Sequence, residues 1–106
     1  MDLIMLLRDE HESRERKIRR IDRELESLPE GSLSKKNIRG NEYWYHQQRI
    51  DGKVRSRYVN PEEYPSLNAA IERRKQLTAQ RKQLLRETEQ IKKAAGGKLP
   101  ESVTYV

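Results

Sequence analysis

Residues 42–59 read EYWYHQQRIDGKVRSRYV, and the interpretation of this stretch decides the fold. Asp51-Gly52 separates two β-prone runs, Glu42 to Ile50 and Lys53 to Val59, and is a two-residue hairpin signal because the favoured turn needs positive φ at both central positions. With that turn, paired residues have numbers summing to 103: Tyr45 faces Tyr58, Arg49 faces Val54 and His46 faces Arg57. Strand side chains alternate between faces. One face therefore collects Tyr43, Tyr45, Gln47, Arg49, Val54, Ser56 and Tyr58. The other collects Trp44, His46, Gln48, Ile50, Lys53, Arg55, Arg57 and Val59, and is the basic one.

A lone hairpin is marginal in water. A further strand over Ser32–Arg39, joined through Gly40-Asn41, is expected to complete a two- or three-stranded antiparallel sheet. The tyrosine face is expected to rest on helix ends near Leu25, Leu28, Tyr64 and Leu67, which leaves the basic face to solvent.

On both sides of this stretch the apolar period changes from two to alternating three and four. From Ile4, the positions Leu7, His11, Arg14, Ile18, Ile21, Leu25 and Leu28 form a heptad seam, predicting a helix over 3–28. Leu28-Pro29-Glu30-Gly31 ends it, since the residue before proline is pushed out of the helical region. A second helix, 61–95, opens at Asn60-Pro61-Glu62-Glu63 with Asn60 as cap. Its seam is Leu67, Ala70, Arg74, Leu77, Arg81, Leu84, Thr88, Ile91 and Ala95, widened by Ile71 and Leu85, and Gly96-Gly97 stops it. Residue numbers across an antiparallel pairing are expected to sum to the low nineties. The fold class is thus α+β: an antiparallel helical hairpin, a coiled coil, with an inserted sheet. One domain over 1–97 and a flexible tail over 98–106 are expected.

At 106 residues, with 33% hydrophobic and 38% charged residues, the chain can bury only a thin core. Cysteine is absent, which excludes a disulfide scaffold and thiolate metal sites and points to an intracellular, cytoplasmic setting. Leu3 to Leu7 is too short an apolar run for a signal sequence or a membrane span. The net charge of +6 is uneven: residues 1–30 carry 7 basic and 9 acidic side chains, residues 31–60 carry 7 and 2, and residues 61–106 carry 9 and 6. The hairpin region therefore holds most of the excess.

The residues argue against catalysis. There are two histidines, no glycine-rich phosphate loop and no nucleophile elbow. His11-Glu12 does not open a zinc-protease motif, because the fifth position is Glu15. His11 belongs to the seam, and neither a metal nor a cofactor is expected. Arg14, Arg74 and Arg81 also fall on the seam, where buried cations need partners. They set register, or else they mark, with Leu7, His11 and Ile18, a stripe that a second copy or a partner protein covers.

Lys53, Arg55 and Arg57 stand at two-residue spacing beside Trp44, His46 and Gln48, with Lys35, Lys36 and Arg39 as an extension. Cations neutralise phosphates and aromatic rings stack on bases. This set is the candidate contact surface for nucleic acid or a nucleoprotein. Its bland alternative is a solvated basic sheet face with Trp44 and Val59 packed on a helix.

Leu28-Pro-Glu-Gly31, the triplet Tyr43-Trp44-Tyr45 and Asp51-Gly-Lys-Val-Arg-Ser-Arg-Tyr58, between two charged helices, resemble a family of small uncharacterised prokaryotic and phage proteins. The resemblance covers most of the chain and implies the architecture, without an activity. Its setting in mobile elements suggests an inhibitor of a CRISPR-type nuclease complex. Two expectations result: a non-enzymatic nucleic-acid or nucleoprotein binder using the hairpin, or a coiled-coil interaction protein working through its helices.

Overall fold

The computed structural model describes residues 2–96 and has the order α1 (Leu3–Glu26), β1 (Ser32–Ile38), β2 (Asn41–Ile50), β3 (Lys53–Val59), α2 (Tyr64–Ala94). The class is α+β, and the sheet has three strands rather than two, in the antiparallel order β1-β2-β3. The expected tail over 98–106, and Gly97 before it, lie outside the described residues.

The described residues form two compact units, one from α1 together with α2 from Thr78 onward, the other from Ser27–Leu77. In the helical unit α1 starts on Asp2, whose carboxylate accepts the Ile4 N–H at 2.9 Å and satisfies one of the free amides of the first turn. The helix buries His11, Ile18 and Ile21, three of the seam positions, α2 buries Leu84 and Thr88, and Ala95 just past its end is buried as well. Leu85 is 42% exposed and does not widen the stripe as its spacing suggested. The Thr88 hydroxyl donates to the Leu84 carbonyl at 2.9 Å, which lets a polar side chain be buried without an unmet hydrogen bond.

Two ion pairs show that these helices run antiparallel. Arg14 Nε donates to Glu87 at 3.0 Å, and Arg81 Nε donates to Asp22 at 2.6 Å. The pairs sum to 101 and 103, about ten more than the low nineties expected from helices that start level with each other. The reason is an offset: the first fourteen residues of α2, Tyr64–Leu77, belong to the sheet's unit, and the helical unit takes α2 only from Thr78 onward. Helix α1 also stops at Glu26, two residues before the expected Leu28, because the turn that leads to Pro29 begins at Ser27.

In the sheet unit the β2–β3 register follows the sum of 103, from Trp44 opposite Val59 to Ile50 opposite Lys53. Asp51 and Gly52 have φ of 51° and 77°, as the hairpin turn requires. The β1–β2 turn is Arg39-Gly40, φ 52° and 85°, one position earlier than Gly40-Asn41, and Asn41 already pairs with Ile38. Asn37 Oδ1 accepts the Gly40 N–H at 3.0 Å and steadies a turn that places a non-glycine residue in the left-handed region.

The larger correction concerns the faces. The Trp44 face, not the tyrosine face, is covered. Val59, Ile71 and Leu77 are each 2% exposed and His46 is 5% exposed. The Trp44 ring stacks on Tyr64, the first residue of α2, at a centroid distance of 4.7 Å. On this face the apolar Leu33, Trp44 and Val59 gather at one end and Ile50, Lys53 and Arg55 lie at the other, so only part of it needs cover.

Candidate nucleic-acid interface

The start of α2 is built at the end of β3. The Asn60 carbonyl accepts the Glu63 and Tyr64 N–H groups, and the Glu63 carboxylate accepts the Asn60 N–H at 3.2 Å, the returning half of a capping box. Arg57 Nη1 donates to the same carboxylate at 2.9 Å. The Arg57 hydrogen bond, aided by the Asn60 N–H, holds the Glu63 carboxyl below the usual carboxylate range.

A second anchor is the Glu30 carbonyl. His46 Nε2 lies 2.7 Å from it, and since a carbonyl only accepts, this nitrogen carries the proton. The Gln48 amide donates to the same oxygen at 3.3 Å. Trp44, His46 and Gln48 are therefore engaged within the unit: Trp44 on Tyr64, the other two on Glu30. The six cationic members of the predicted surface are exposed. Lys53 and Arg55 stand on edge strand β3, Arg57 is turned to Glu63, and Arg39 occupies the β1–β2 turn. Lys35 lies 3.0 Å from the Glu42 carboxylate, and Lys36 holds its ammonium 4.7 Å from the centre of the Tyr45 ring.

The seam residues have other tasks. Leu7 is half-buried and Ile18 is buried. Arg14 bridges Glu10 and Glu87, and its hydrogen bond to Glu10, with help from Glu87 and against the cost of burial, raises its pKa. Arg81 takes Asp22, and Arg74 donates to the Leu28 carbonyl and to Glu30, both at 3.3 Å. His11 is 3% exposed, with Nε2 3.5 Å from the Glu15 carboxylate. Its Nδ1 has no hydrogen-bond partner among the described residues.

The face left open is the one expected to be covered. Tyr58 sits edge-on to both Tyr43 and Tyr45, at centroid distances of 6.2 and 6.1 Å. Tyr58 is 44% exposed, Tyr43 and Tyr45 are half-buried, and Lys36 and Arg49 on the same face are exposed. Three tyrosines across two strands with cations beside them form a surface on which planar groups can stack next to neutralised phosphates. The sequence grouped Tyr43, Tyr45, Tyr58 and Arg49 correctly on one face but gave them a core role. The stacking surface is visible in the pattern once the direction of the face is known.

Among the described residues no group of three or more histidines, cysteines or acids is placed to hold a metal ion, and no helix is long and apolar enough to cross a membrane. Comparison with curated proteins and with solved structures finds no match. A family model does match over residues 10–70, which are 61 of the 106 residues and include all three strands. The chain therefore belongs to the family described as Domain of unknown function (DUF6788).

Proposed function

We propose that the protein is a non-enzymatic binding module for single-stranded nucleic acid and works through the tyrosine face of its sheet. The observation that carries this is the Tyr43–Tyr58–Tyr45 cluster, open to solvent, with Lys36 over Tyr45 and Arg49 on the same face. Aromatic sheet faces bind single strands because every base has a stacking surface, while a duplex hides its bases. Lys53 and Arg55 on the edge strand supply further phosphate contacts, in keeping with the +5 carried by residues 31–60. Fluorescence anisotropy with a labelled single-stranded oligonucleotide tests the reading. Binding should be detectable at low salt and should weaken linearly as log K against log salt. Absence of binding at low salt overturns it.

A second reading is favoured by one observation. Leu3, Met5 and Leu6 at the start of α1 are 64%, 58% and 42% exposed, an apolar cluster of the kind that protein partners cover. On that reading the helices bind a second copy or another protein, including a nuclease complex that a mobile element's product inhibits. Analytical ultracentrifugation of wild type and Leu3→Asp/Leu6→Asp separates the cases. A monomer in both, with no protein partner recovered, removes this reading.

A further inference from the structure

Where β3 runs out through Asn60-Pro61 into α2, the sheet unit has a cavity of about 180 Å³. Four aromatic residues line it, Tyr43, Trp44, Tyr58 and Tyr64, together with Glu42, Val59 and Pro61. Its position follows from the register. Trp44 pairs with Val59 and Tyr45 with Tyr58, so the end of this ladder brings side chains of both sheet faces to one rim. Tyr43 and Tyr58 belong to the open face, and Trp44 is stacked on Tyr64 behind it. The cavity is thus continuous with the tyrosine surface, and a strand lying on that surface can place one base in it.

Aromatic walls with one carboxylate suit two ligand classes, an organic cation or a nucleobase with an amino group. Charge decides between them. The Lys35 ammonium already lies 3.0 Å from the Glu42 carboxylate and 5.8 Å from the centre of the Trp44 ring, so the cation's place is filled from within the chain. Residues 31–60 carry 7 basic and 2 acidic side chains, which repels a second cation and attracts a phosphate. A carboxylate accepts hydrogen bonds and donates none. It therefore favours the cytosine 4-amino group and disfavours the 4-carbonyl oxygen of thymine or uracil.

We propose that this cavity is a base pocket, in which one amino-bearing nucleobase of a single strand is held against the aromatic rings and hydrogen-bonded to Glu42, with Lys35 meeting the phosphate beside it. The proposal rests on the nucleic-acid reading above and adds a base preference that a stacking surface alone lacks.

The test uses the full chain with oligo(dC) and oligo(dT) of equal length and two signals. Anisotropy of the labelled strand reports binding anywhere, and intrinsic fluorescence reports the pocket, because Trp44 is the single tryptophan. Oligo(dC) should bind roughly ten-fold more tightly than oligo(dT) and quench Trp44. Glu42→Gln should reduce that ratio to near one. Glu42 is exposed, so circular dichroism should show the variant folded, and only the dC/dT ratio is read because releasing Lys35 raises affinity for both strands. Binding of both strands with no base preference and no change in Trp44 emission overturns the pocket while the nucleic-acid reading stands. A dC preference that survives Glu42→Gln also overturns it. No anisotropy change with either strand overturns both.

Discussion

The Trp44 indole lies on the Tyr64 ring at 4.7 Å, tilted by 33°, and joins the central strand to the first residue of α2. An aromatic pair in this arrangement contributes about 0.5–1.5 kcal/mol beyond the area it buries. Trp44→Leu, Tyr64→Leu and the double variant, unfolded in urea, should give a coupling energy in that range. Additivity within error would show that the contact contributes nothing specific.

Gly31 has φ of +102°, and a side chain there would begin against the backbone carbonyl of Gln47. Gly52 also has positive φ, but a side chain there meets open space. Gly31→Ala should therefore cost about 3 kcal/mol or more, from backbone conformation and clash together, and Gly52→Ala about 1 kcal/mol from conformation alone. Thermal melts of the two variants give the order directly.

His11 buries a ring nitrogen without a partner among the described residues. Replacing such a group with an apolar one removes a desolvation cost. His11→Leu is expected to leave stability unchanged or raise it by about 1 kcal/mol in chemical denaturation. A loss above about 1 kcal/mol would show that the imidazole is needed where it is.

Glu63 has its folded-state pKa lowered, first by Arg57 and then by the Asn60 N–H. A depressed carboxyl stabilises the fold at pH values above its unfolded pKa, and the contribution disappears as pH falls through the folded pKa. Wild type should thus exceed Arg57→Gln in stability at neutral pH, and the two should converge as the solution is acidified below the ordinary carboxylate range. A gap independent of pH would assign the Arg57 effect to packing.

Tyr45 lies on the open face beneath Lys36, whereas His46 is turned inward to Glu30. Tyr45→Ala should weaken single-strand binding by about 1–3 kcal/mol, the range for one base stacked on one ring. Lys53→Glu with Arg55→Glu should make the salt dependence shallower. Unchanged affinity in both variants would move the binding surface off the sheet.

Much of this architecture is legible in the residues, and the parts that are not share a cause. Asp51-Gly52 fixes a turn, and a turn fixes a register, so the pairing from Trp44 with Val59 to Ile50 with Lys53 follows. The spacing through Ile18, Ile21, Leu77 and Leu84 marks positions that are indeed buried. Alternation, however, says only which side chains share a face. Both faces of this sheet mix apolar and basic residues, and what selects the Trp44 face is a partner ring, Tyr64, twenty residues along the chain from Trp44 and outside the strand's own pattern. The helix offset escaped for the same reason. It depends on Arg14 finding Glu87 and Arg81 finding Asp22, choices that a stripe of equivalent leucines does not encode. The cap of α1 is legible as well, since Asp2 stands two residues before Ile4 and can accept its amide.

Among the described residues, strands β1 and β3 are both edges of an open sheet, and each leaves one row of backbone amides and carbonyls without a neighbouring strand. Such a row is a template for another molecule's strand. Lys35 and Lys36 lie along one edge and Lys53, Arg55 and Arg57 along the other, so two copies brought edge to edge would set like charges against each other. Like charges along both edges therefore oppose edge-to-edge pairing of two copies, whatever ligand the sheet takes. Variants that remove them to probe binding also remove this safeguard, and crowded samples of those variants are where fibrils would first form.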